Sequence, residues 1–219
     1  MAVRPYSAAV EDYLRAVYKL EEAGRQVTTT GLAASMGVAP ASVTAMVKKL
    51  DELGLVERHA YRDAKLTDEG RRVALRVTRT HRLLEQYLAE TLDIPLEAVH
   101  EEADRLEHTI SELVGRAIDE ALGRPTHDPH GHPIPTADLE PGAAGGRTIT
   151  DLEAGEAAQV RHIPDDDAAL LAYLEGIGLV PGAAVEIVSV GPFDGPVTVR
   201  TARGETALGR GTAALVGVG

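Results

Sequence analysis

The sequence predicts a mainly helical protein with a small share of β structure, and three observations support this fold class. The first 72 residues contain three helical patterns followed by two short strand patterns. Helical periodicity then continues almost without interruption to residue 122. From residue 148 onward, β-rich runs alternate with Gly and Pro turns, which indicates a small five-stranded barrel.

The amino-terminal elements follow the order of a winged helix-turn-helix. Apolar residues recur at helical spacing, and a glycine follows each of the three helices. Helix, helix, turn, helix and hairpin with short connections favour a winged-helix domain over another small helical domain with a hairpin. The predicted elements are helices over 8–23, 28–36 and 39–53 and strands over 55–59 and 64–67.

Two longer helices are predicted in the middle of the chain. The first begins at Asp68 and breaks near Asp93–Pro95. The second covers residues 96–122 and ends before Gly123. A loop rich in proline and glycine then passes into a linker.

Composition excludes several classes of site. Without cysteine the chain has no disulfides, thiolate zinc sites or cysteine nucleophiles, so any metal must bind oxygen and imidazole, which suits manganese and ferrous iron. The net charge is −12, but residues 1–72 hold eleven Lys or Arg against ten Asp or Glu and can still bind DNA through clustered cations. No signal-peptide or membrane-spanning pattern is present, so the expected location is the cytoplasm.

The acidic stretch HEEADRLEH, residues 100–108, indicates a metal site. On a helix, His100, Asp104, Glu107 and His108 fall within an arc of roughly 100°. Nitrogen and oxygen donors that converge on one patch are what a divalent metal requires. The alternative is an acidic, solvated surface with two incidental histidines.

Three residues in other helices could extend this cluster. His81 and Glu85 are four residues apart on the long helix, and they could close a second site with His100 if the helices pack antiparallel. Asp12 lies beside the apolar face of the first helix, where an isolated carboxylate is costly unless it is paired or coordinated. The alternative for Asp12 is a peripheral acid favoured by the helix dipole.

Three further histidines lie in the loop that follows the helices, namely His127, His130 and His132. They suggest a metal site by composition, but they occur among Pro and Gly without regular spacing. They are therefore interpreted as surface loop residues.

The helix that begins after residue 39 is expected to enter the major groove of DNA. Small residues near its start would meet base edges, while two lysines, a threonine at the preceding helix entry and cations of the hairpin would contact phosphates. Such side chains read bases weakly, so DNA shape would contribute to sequence preference. The residues expected to contact DNA are Thr28, Ser42, Thr44, Ala45, Lys48, Lys49, Arg58 and Arg62.

Over nearly its full length the chain resembles the diphtheria-toxin-repressor family of iron- or manganese-dependent transcriptional regulators. The motifs that carry the resemblance are VEDYLRAVYKLEE, VTAMVKKLDELGLVE, LTDEGR, THRLLEQYL, VHEEADRLEHTISE and DPHGHPIP. The resemblance implies a winged helix-turn-helix DNA-binding domain at 1–74, a helical dimerisation and metal-binding domain at 75–140, a linker at 141–149, and an SH3-like, FeoA-type domain at 150–219.

The resemblance also implies two metal sites per chain. Acids stand at positions 12 and 104, where iron-type members carry methionine and cysteine, and this favours Mn(II), with Fe(II) as the alternative. Short manganese-type members carry a glutamate where this chain has Arg15, which favours the separated sites of iron-type members. The implied ligands are Asp12, Asp104, Glu107 and His108 for the first site, and His81, Glu85 and His100, with His162 and Asp165 from the barrel, for the second.

The resulting hypothesis is a homodimeric, metal-dependent regulator, and not an enzyme, that represses metal-uptake genes by binding a double-stranded DNA operator. Neither a membrane nor a small organic substrate is expected as a partner. A dimetal hydrolase built on the same cluster is one alternative, but the sequence shows no additional general base or phosphate-binding loop. Another alternative is a DNA-binding protein governed by a partner through the barrel, with a merely structural cluster.

Overall fold

The computed structural model describes residues 6–58, 64–142 and 146–219. The chain divides into two compact units, and the helix that begins at Asp68 passes from one to the other between His81 and Arg82. The first unit comprises residues up to 81, 107–110 and 135–144, and the second comprises 82–106, 111–134 and 145–219.

The first unit contains the predicted winged helix-turn-helix. Its α1, α2 and α3 cover Ala8–Glu22, Thr29–Met36 and Pro40–Glu52, and β1 and β2 cover Val56–Arg58 and Ala64–Leu66. The two strands pair antiparallel and form the wing. The first part of α4, which covers Asp68–Leu92, completes this unit. Its core includes the fully buried side chains of Leu14, Val17, Leu32, Val43, Leu50 and Leu55.

Local sequence signals define the turn between α2 and α3. Thr28 caps α2 by accepting the backbone N–H of Gly31, and Gly37 ends the helix in the left-handed region that favours glycine. Pro40 occupies the first turn of α3. The two helix axes differ by 111°, which is typical of a helix-turn-helix. No single described helix is long and apolar enough to cross a membrane; only these two, taken together across their bend, meet that length and composition.

The helical part of the second unit differs from the prediction. The expected single helix over 96–122 is wrong, because α5 ends at Leu106 and α6 covers Glu112–Ala121. Ser111 starts α6 by accepting the backbone N–H of Val114 through its hydroxyl. Glu107 and His108 therefore lie in a turn, so the helical arc does not explain how they approach other ligands.

The carboxyl-terminal part of the second unit is a six-stranded antiparallel sheet, with strand order β3-β8-β4-β5-β6-β7. The prediction of five strands is wrong, because β3 and β8 have only two residues each and are too short to show alternation. The elements are β3 (Arg147–Thr148), β4 (Ala157–His162), α7 (Ala168–Gly176), β5 (Ala184–Val190), β6 (Val197–Thr201), β7 (Gly204–Leu208), α8 (Arg210–Ala213) and β8 (Gly217–Val218).

Candidate metal centres and DNA-binding surface

Three predicted ligands come together in the first unit, and we call Asp12, Glu107 and His108 the first centre. One ligand atom of each lies within 4.8 Å of the others. The Nε2 atom of His108 is 2.6 Å from Oδ1 of Asp12 and 3.3 Å from Oε1 of Glu107. Asp12 projects from α1, whereas the other two residues lie in the turn after α5. Two carboxylates and an imidazole in this arrangement suit a divalent cation.

Glu11 orients the imidazole of the first centre. Its carboxylate is fully buried, and Oε2 lies 2.9 Å from Nδ1 of His108. A proton on Nδ1 that is donated to Glu11 leaves Nε2 with a lone pair directed at Asp12 and Glu107, as in metal sites where a carboxylate supports a ligating histidine. Glu11 is not among the site residues predicted from the sequence. Its place next to Val10, on the apolar face of α1, was the available signal.

Arg15 and His81 contact the other side of the first centre. Oε2 of Glu107 lies 3.2 Å from Nη1 of Arg15 and 2.7 Å from Nδ1 of His81. These two nitrogen atoms are themselves 2.5 Å apart. Glu107 is fully buried. One oxygen of its carboxylate faces the first centre, and the other faces the permanent cation of Arg15. His81, which the sequence predicts as a ligand of the second site, contacts Glu107 in the first unit.

The acids and the imidazole of the first centre shift each other's protonation. Burial raises the pKa of Asp12, although His108 opposes this effect. Burial would lower the pKa of His108, but the hydrogen bond to Glu11 and the charges of Asp12 and Glu107 outweigh burial and raise it. The cluster therefore stabilises positive charge at the position of the imidazole.

A second group of ligands converges within the second unit, and we call it the second centre. Nδ1 of His100 lies 2.9 Å from Oε1 of Glu85, and Nδ1 of His130 lies 3.7 Å from the same oxygen. Two overlapping sets each bring three ligand atoms within 4.8 Å of one another. The residues of the second centre are Glu85, His100, Asp128, His130 and Asp165.

The interpretation of the loop histidines as surface residues is wrong for two of them. His130 is fully buried and His132 is largely buried, whereas His127 is exposed as expected. Oδ1 of Asp128 accepts the backbone N–H groups of both His130 and His132 and folds the segment into a compact turn. The sequence does not predict this turn, because a segment rich in proline and glycine is also typical of an open loop.

The orientation of His130 suits a metal ligand. Its Nε2 lies 3.3 Å from the carbonyl oxygen of Leu96, so a proton on Nε2 leaves Nδ1 as the acceptor that faces Glu85. Nδ1 is buried and has no hydrogen-bond partner among the described residues. Burial would lower the pKa of His130, but Glu85, Asp128 and Asp165 outweigh burial and raise it.

Gly131 allows the turn of the second centre to contact β4 closely. Its φ of +87° is in the region that favours glycine, and an added Cβ would lie 1.9 Å from the carbonyl oxygen of Arg161. The backbone N–H of Ile163 donates to the carbonyl of His130 at 3.0 Å. The approach of Asp165 to the centre therefore depends on a glycine in the turn.

We expect Gly131→Ala to lower manganese affinity at the second centre by about 10- to 100-fold, because the turn must move away from β4. The first centre should be unaffected. The control is Gly182→Ala, which has a similar φ of +85° but nothing within 4 Å of an added Cβ. Calorimetric titration of both variants with Mn²⁺ separates close contact from backbone strain, and equal losses in the two variants would contradict this account.

Two remaining predicted ligands also lie in the second unit. Oδ2 of Asp104 is 3.9 Å from Nε2 of His100, and the assignment of Asp104 to the first centre stays a prediction. The ring centroid of His162 lies 5.2 Å from that of His132. Among the described residues, His162 belongs to none of the groups in which three ligand atoms converge.

The predicted recognition helix has a buried face and an exposed face. Val43 and Leu50 are fully buried in the core of the first unit. The opposite face is exposed and carries two lysines, as expected for a helix that enters the major groove. The exposed residues of α3 that the sequence predicts as DNA contacts are Ser42, Thr44, Ala45, Lys48 and Lys49.

The other predicted DNA contacts flank this helix. Thr28 uses its hydroxyl to cap α2, so its side chain has a structural role at the helix entry. Arg58 is exposed at the end of β1, and Lys65 is exposed on the paired strand β2. Arg62 lies outside the described residues. The assignment of these residues to DNA stays a prediction.

Family models match all three parts of the chain. The N-terminal DNA-binding domain of iron-dependent repressors matches residues 6–64. The metal-binding and dimerisation domain of the same repressors matches residues 67–136, and the FeoA domain matches residues 147–218. The predicted fold class, mainly helical with a carboxyl-terminal SH3-like β domain, is confirmed.

Individual relatives agree with these matches. The iron-dependent repressor IdeR of Mycobacterium tuberculosis is 36% identical over 189 residues, which cover 81% of this chain and 82% of the relative. The diphtheria toxin repressor of Corynebacterium efficiens is 34% identical over 191 residues, 82% of each chain. The solved structure of a manganese-dependent transcriptional repressor in complex with manganese has a TM-score of 0.88 and 35% identity, and it covers 95% of this chain and 98% of its own.

Proposed function

Because the chain belongs to the diphtheria-toxin-repressor family of metal-dependent transcriptional repressors, we propose that it is a manganese-responsive homodimer that binds operator DNA in the cytoplasm and represses metal-uptake genes. Members of this family are transcriptional repressors and not enzymes, so the hydrolase alternative is discarded. The observation that supports the proposal most directly is the position of Asp12. This ligand belongs to a helix of the DNA-binding core and meets Glu107 and His108 from far along the chain.

The donors of the first centre favour manganese. Asp12 and Glu107 supply carboxylate oxygens, and His108 supplies an imidazole nitrogen held by Glu11. Asp104 is proposed as a further ligand on the resemblance alone. Oxygen-rich sites suit hard cations such as Mn(II), and Fe(II) is the alternative effector.

One ion at the first centre is the proposed stoichiometry. The guanidinium of Arg15 lies 3.2 Å from the Glu107 oxygen that faces away from Asp12. A second divalent cation in that place would meet a permanent positive charge inside the protein, where repulsion is poorly screened. The proposed second ion is therefore held by the second centre, in the other unit.

The second centre supplies three carboxylates and two imidazoles, all from the second unit. Asp128 and His130 join the predicted Glu85, His100 and Asp165. Asp165 follows β4, so the ion would tie the FeoA-type domain to the turn and to α4 and α5. His162 stays a prediction from the resemblance.

The residues of the first centre explain how a bound cation could control DNA binding. Without a bound cation, Arg76 lies near Glu11 and Arg15 lies near the far oxygen of Glu107, but Asp12 and the near oxygen of Glu107 face each other across the imidazole of His108. A divalent cation supplies the charge that holds the ligands of α1 and of the turn together. The recognition helices of the dimer would then be held about one DNA turn apart. To convert a population of 1:99 into 99:1 requires about 5.5 kcal/mol of differential affinity.

Metal removal tests this proposal. DNA that binds the manganese-loaded protein is selected from random duplexes. The affinity of the protein for this DNA is then measured with chelator, and with Mn²⁺ and Fe²⁺ at matched free concentrations. We expect chelator to lower the affinity by about 100-fold or more, and Mn²⁺ to restore it at a lower free concentration than Fe²⁺.

Each arm of this experiment has a distinct negative result. If chelator left the DNA affinity unchanged, the proposed metal control would be contradicted. That result would support the alternative in which a partner protein controls DNA binding through the FeoA-type domain. Restoration at lower free Fe²⁺ than Mn²⁺ would make the protein an iron-responsive repressor. The proposed domain boundaries, at 74/75, 140/141 and 149/150, stay predictions that limited proteolysis can test.

A further inference from the structure

Helix α1 contacts the first centre at one end and the wing at the other. Asp12 is a ligand near its start, and Glu21 lies about two and a half turns later. The helix contains neither proline nor glycine, the residues that most often cause a kink. A displacement at Asp12 is therefore expected to reach Glu21.

Glu21 uses both carboxylate oxygens, on two separate elements of the first unit. Oε1 accepts the backbone N–H of Leu66 in β2 at 3.1 Å, and Oε2 accepts from Nη2 of Arg71 in the first turn of α4. The Glu21 side chain is only 17% exposed. Hydrogen bonds of an ionised, partly buried carboxylate are stronger than those between neutral groups.

The N–H group that Glu21 accepts lies on the outer edge of the wing. Two residues earlier, the N–H of Ala64 donates to the carbonyl of Val27 at 3.1 Å. Alternate N–H groups of a strand point to the same edge, so Ala64 and Leu66 both face away from β1. The Glu21 carboxylate thus occupies the place that another strand would take, and the position of β2 depends on it.

The wing that Glu21 holds carries two exposed cations, one on each strand. Lys65 is exposed between Ala64 and Leu66. Arg58 is exposed on β1, where it pairs with Ala64 in the sheet register. A shift of β2 would move both cations relative to a DNA backbone held by α3.

We propose that Glu21 is the positioning residue that couples the metal-dependent position of α1 to the wing. This inference rests on the proposed function of the first centre. When Asp12 is fixed, Glu21 fixes Leu66 and thereby Arg58 and Lys65. Because coupling between binding sites is reciprocal, DNA that engages the wing raises metal affinity by the same factor.

The test compares Glu21→Gln and Glu21→Ala with Glu22→Gln. Glutamine keeps an oxygen acceptor for Leu66 but loses the charge that faces Arg71, and alanine loses both. The control removes the same charge one residue later, at a side chain that accepts from the Tyr18 hydroxyl within the same helix. For each protein, the affinity for DNA selected on the manganese-loaded wild type is measured with saturating Mn²⁺ and with chelator.

We expect Glu21→Ala to lower the ratio of these two affinities by about tenfold, within the usual range of coupling between sites. Glu21→Gln should lower the ratio less, and Glu22→Gln should leave it unchanged. Mn²⁺ affinity without DNA should stay within about twofold of wild type in all three variants, because Glu21 does not contact the first centre. An unchanged ratio in Glu21→Ala, or equal losses with and without metal, would overturn the inference.

Hydrogen exchange gives a second readout that does not require DNA. Because each protein is compared with and without Mn²⁺, the variants do not have to be equally stable. In the wild type, Mn²⁺ should slow exchange of the Leu66 amide by about tenfold, because fixing α1 fixes its acceptor. Glu21→Ala should abolish this metal effect, and a metal effect that persists would overturn the inference. If the wild type bound DNA equally well with Mn²⁺ and with chelator, the proposed function would be contradicted. The exchange of the Leu66 amide would then still test whether Glu21 couples α1 to the wing.

Discussion

Asp12→Asn is expected to lower manganese affinity at the first centre by about 100-fold or more, because even residues behind the ligands cost roughly 10- to 100-fold when removed. Manganese-dependent DNA binding should fall with it. The metal-free protein should be as stable as the wild type or slightly more stable, because burial disfavours the charged form of Asp12, as its raised pKa shows. Calorimetric titration with Mn²⁺ and thermal unfolding in chelator measure the two effects.

Two further variants sharpen this prediction. Asp12→Met should bind Mn²⁺ weakly and shift preference toward softer metals, because a thioether replaces a carboxylate. Glu153→Gln removes the same charge at an exposed position of the second unit and should change nothing. If Asp12→Asn retained manganese-dependent DNA binding at wild-type metal concentrations, Asp12 would not be the link between the metal and the DNA-binding core.

His130→Gln is expected to reduce the manganese stoichiometry from two ions to one per chain. The fully buried imidazole offers Nδ1 to the second centre, and glutamine cannot place a nitrogen lone pair there. Its loss should also reduce the free energy of unfolding by about 1 kcal/mol, the usual cost of a point substitution, since the buried Glu85 keeps His100 at 2.9 Å and loses only an imidazole 3.7 Å away. Metal analysis after dialysis gives the stoichiometry, and denaturant unfolding in chelator gives the stability.

The two variants control each other. Asp12→Asn should retain the ion of the second centre, His130→Gln should retain that of the first, and the double variant should bind neither. At a free concentration about 100 times the dissociation constant, a bound ion adds about 2.7 kcal/mol of stability, so each single variant should lose one such increment. Two ions in His130→Gln would contradict the second centre, and no ions would show that the two centres are not independent.

The DNA-binding fold could be predicted because its signals are local. The apolar spacing of α1 and α3, the glycine after α2 and the proline at the start of α3 each depend on neighbours within a few residues. The break between α5 and α6 was missed for the opposite reason. The helical periodicity of the sequence continues through residues 107–111. The cap at Ser111 therefore does not stand out as the start of a new helix.

The candidate ligands were only partly predictable. Asp12, Glu107 and His108 were identified, and the structure brings them together. Glu11 was not predicted, because its burial depends on His108, which is 97 residues away in the sequence. His130 was missed because burial of a loop residue cannot be inferred from composition alone.

The order of the elements, the lack of thiol chemistry and the set of oxygen and imidazole donors follow from residue identity and short-range spacing. Which of these donors meet depends on the folded chain. It directed one oxygen of Glu107 toward Asp12 and the other toward Arg15, and it turned His130 inward against Glu85. The physical reason is that ligand geometry and burial depend on contacts between distant parts of the chain, which no local pattern encodes.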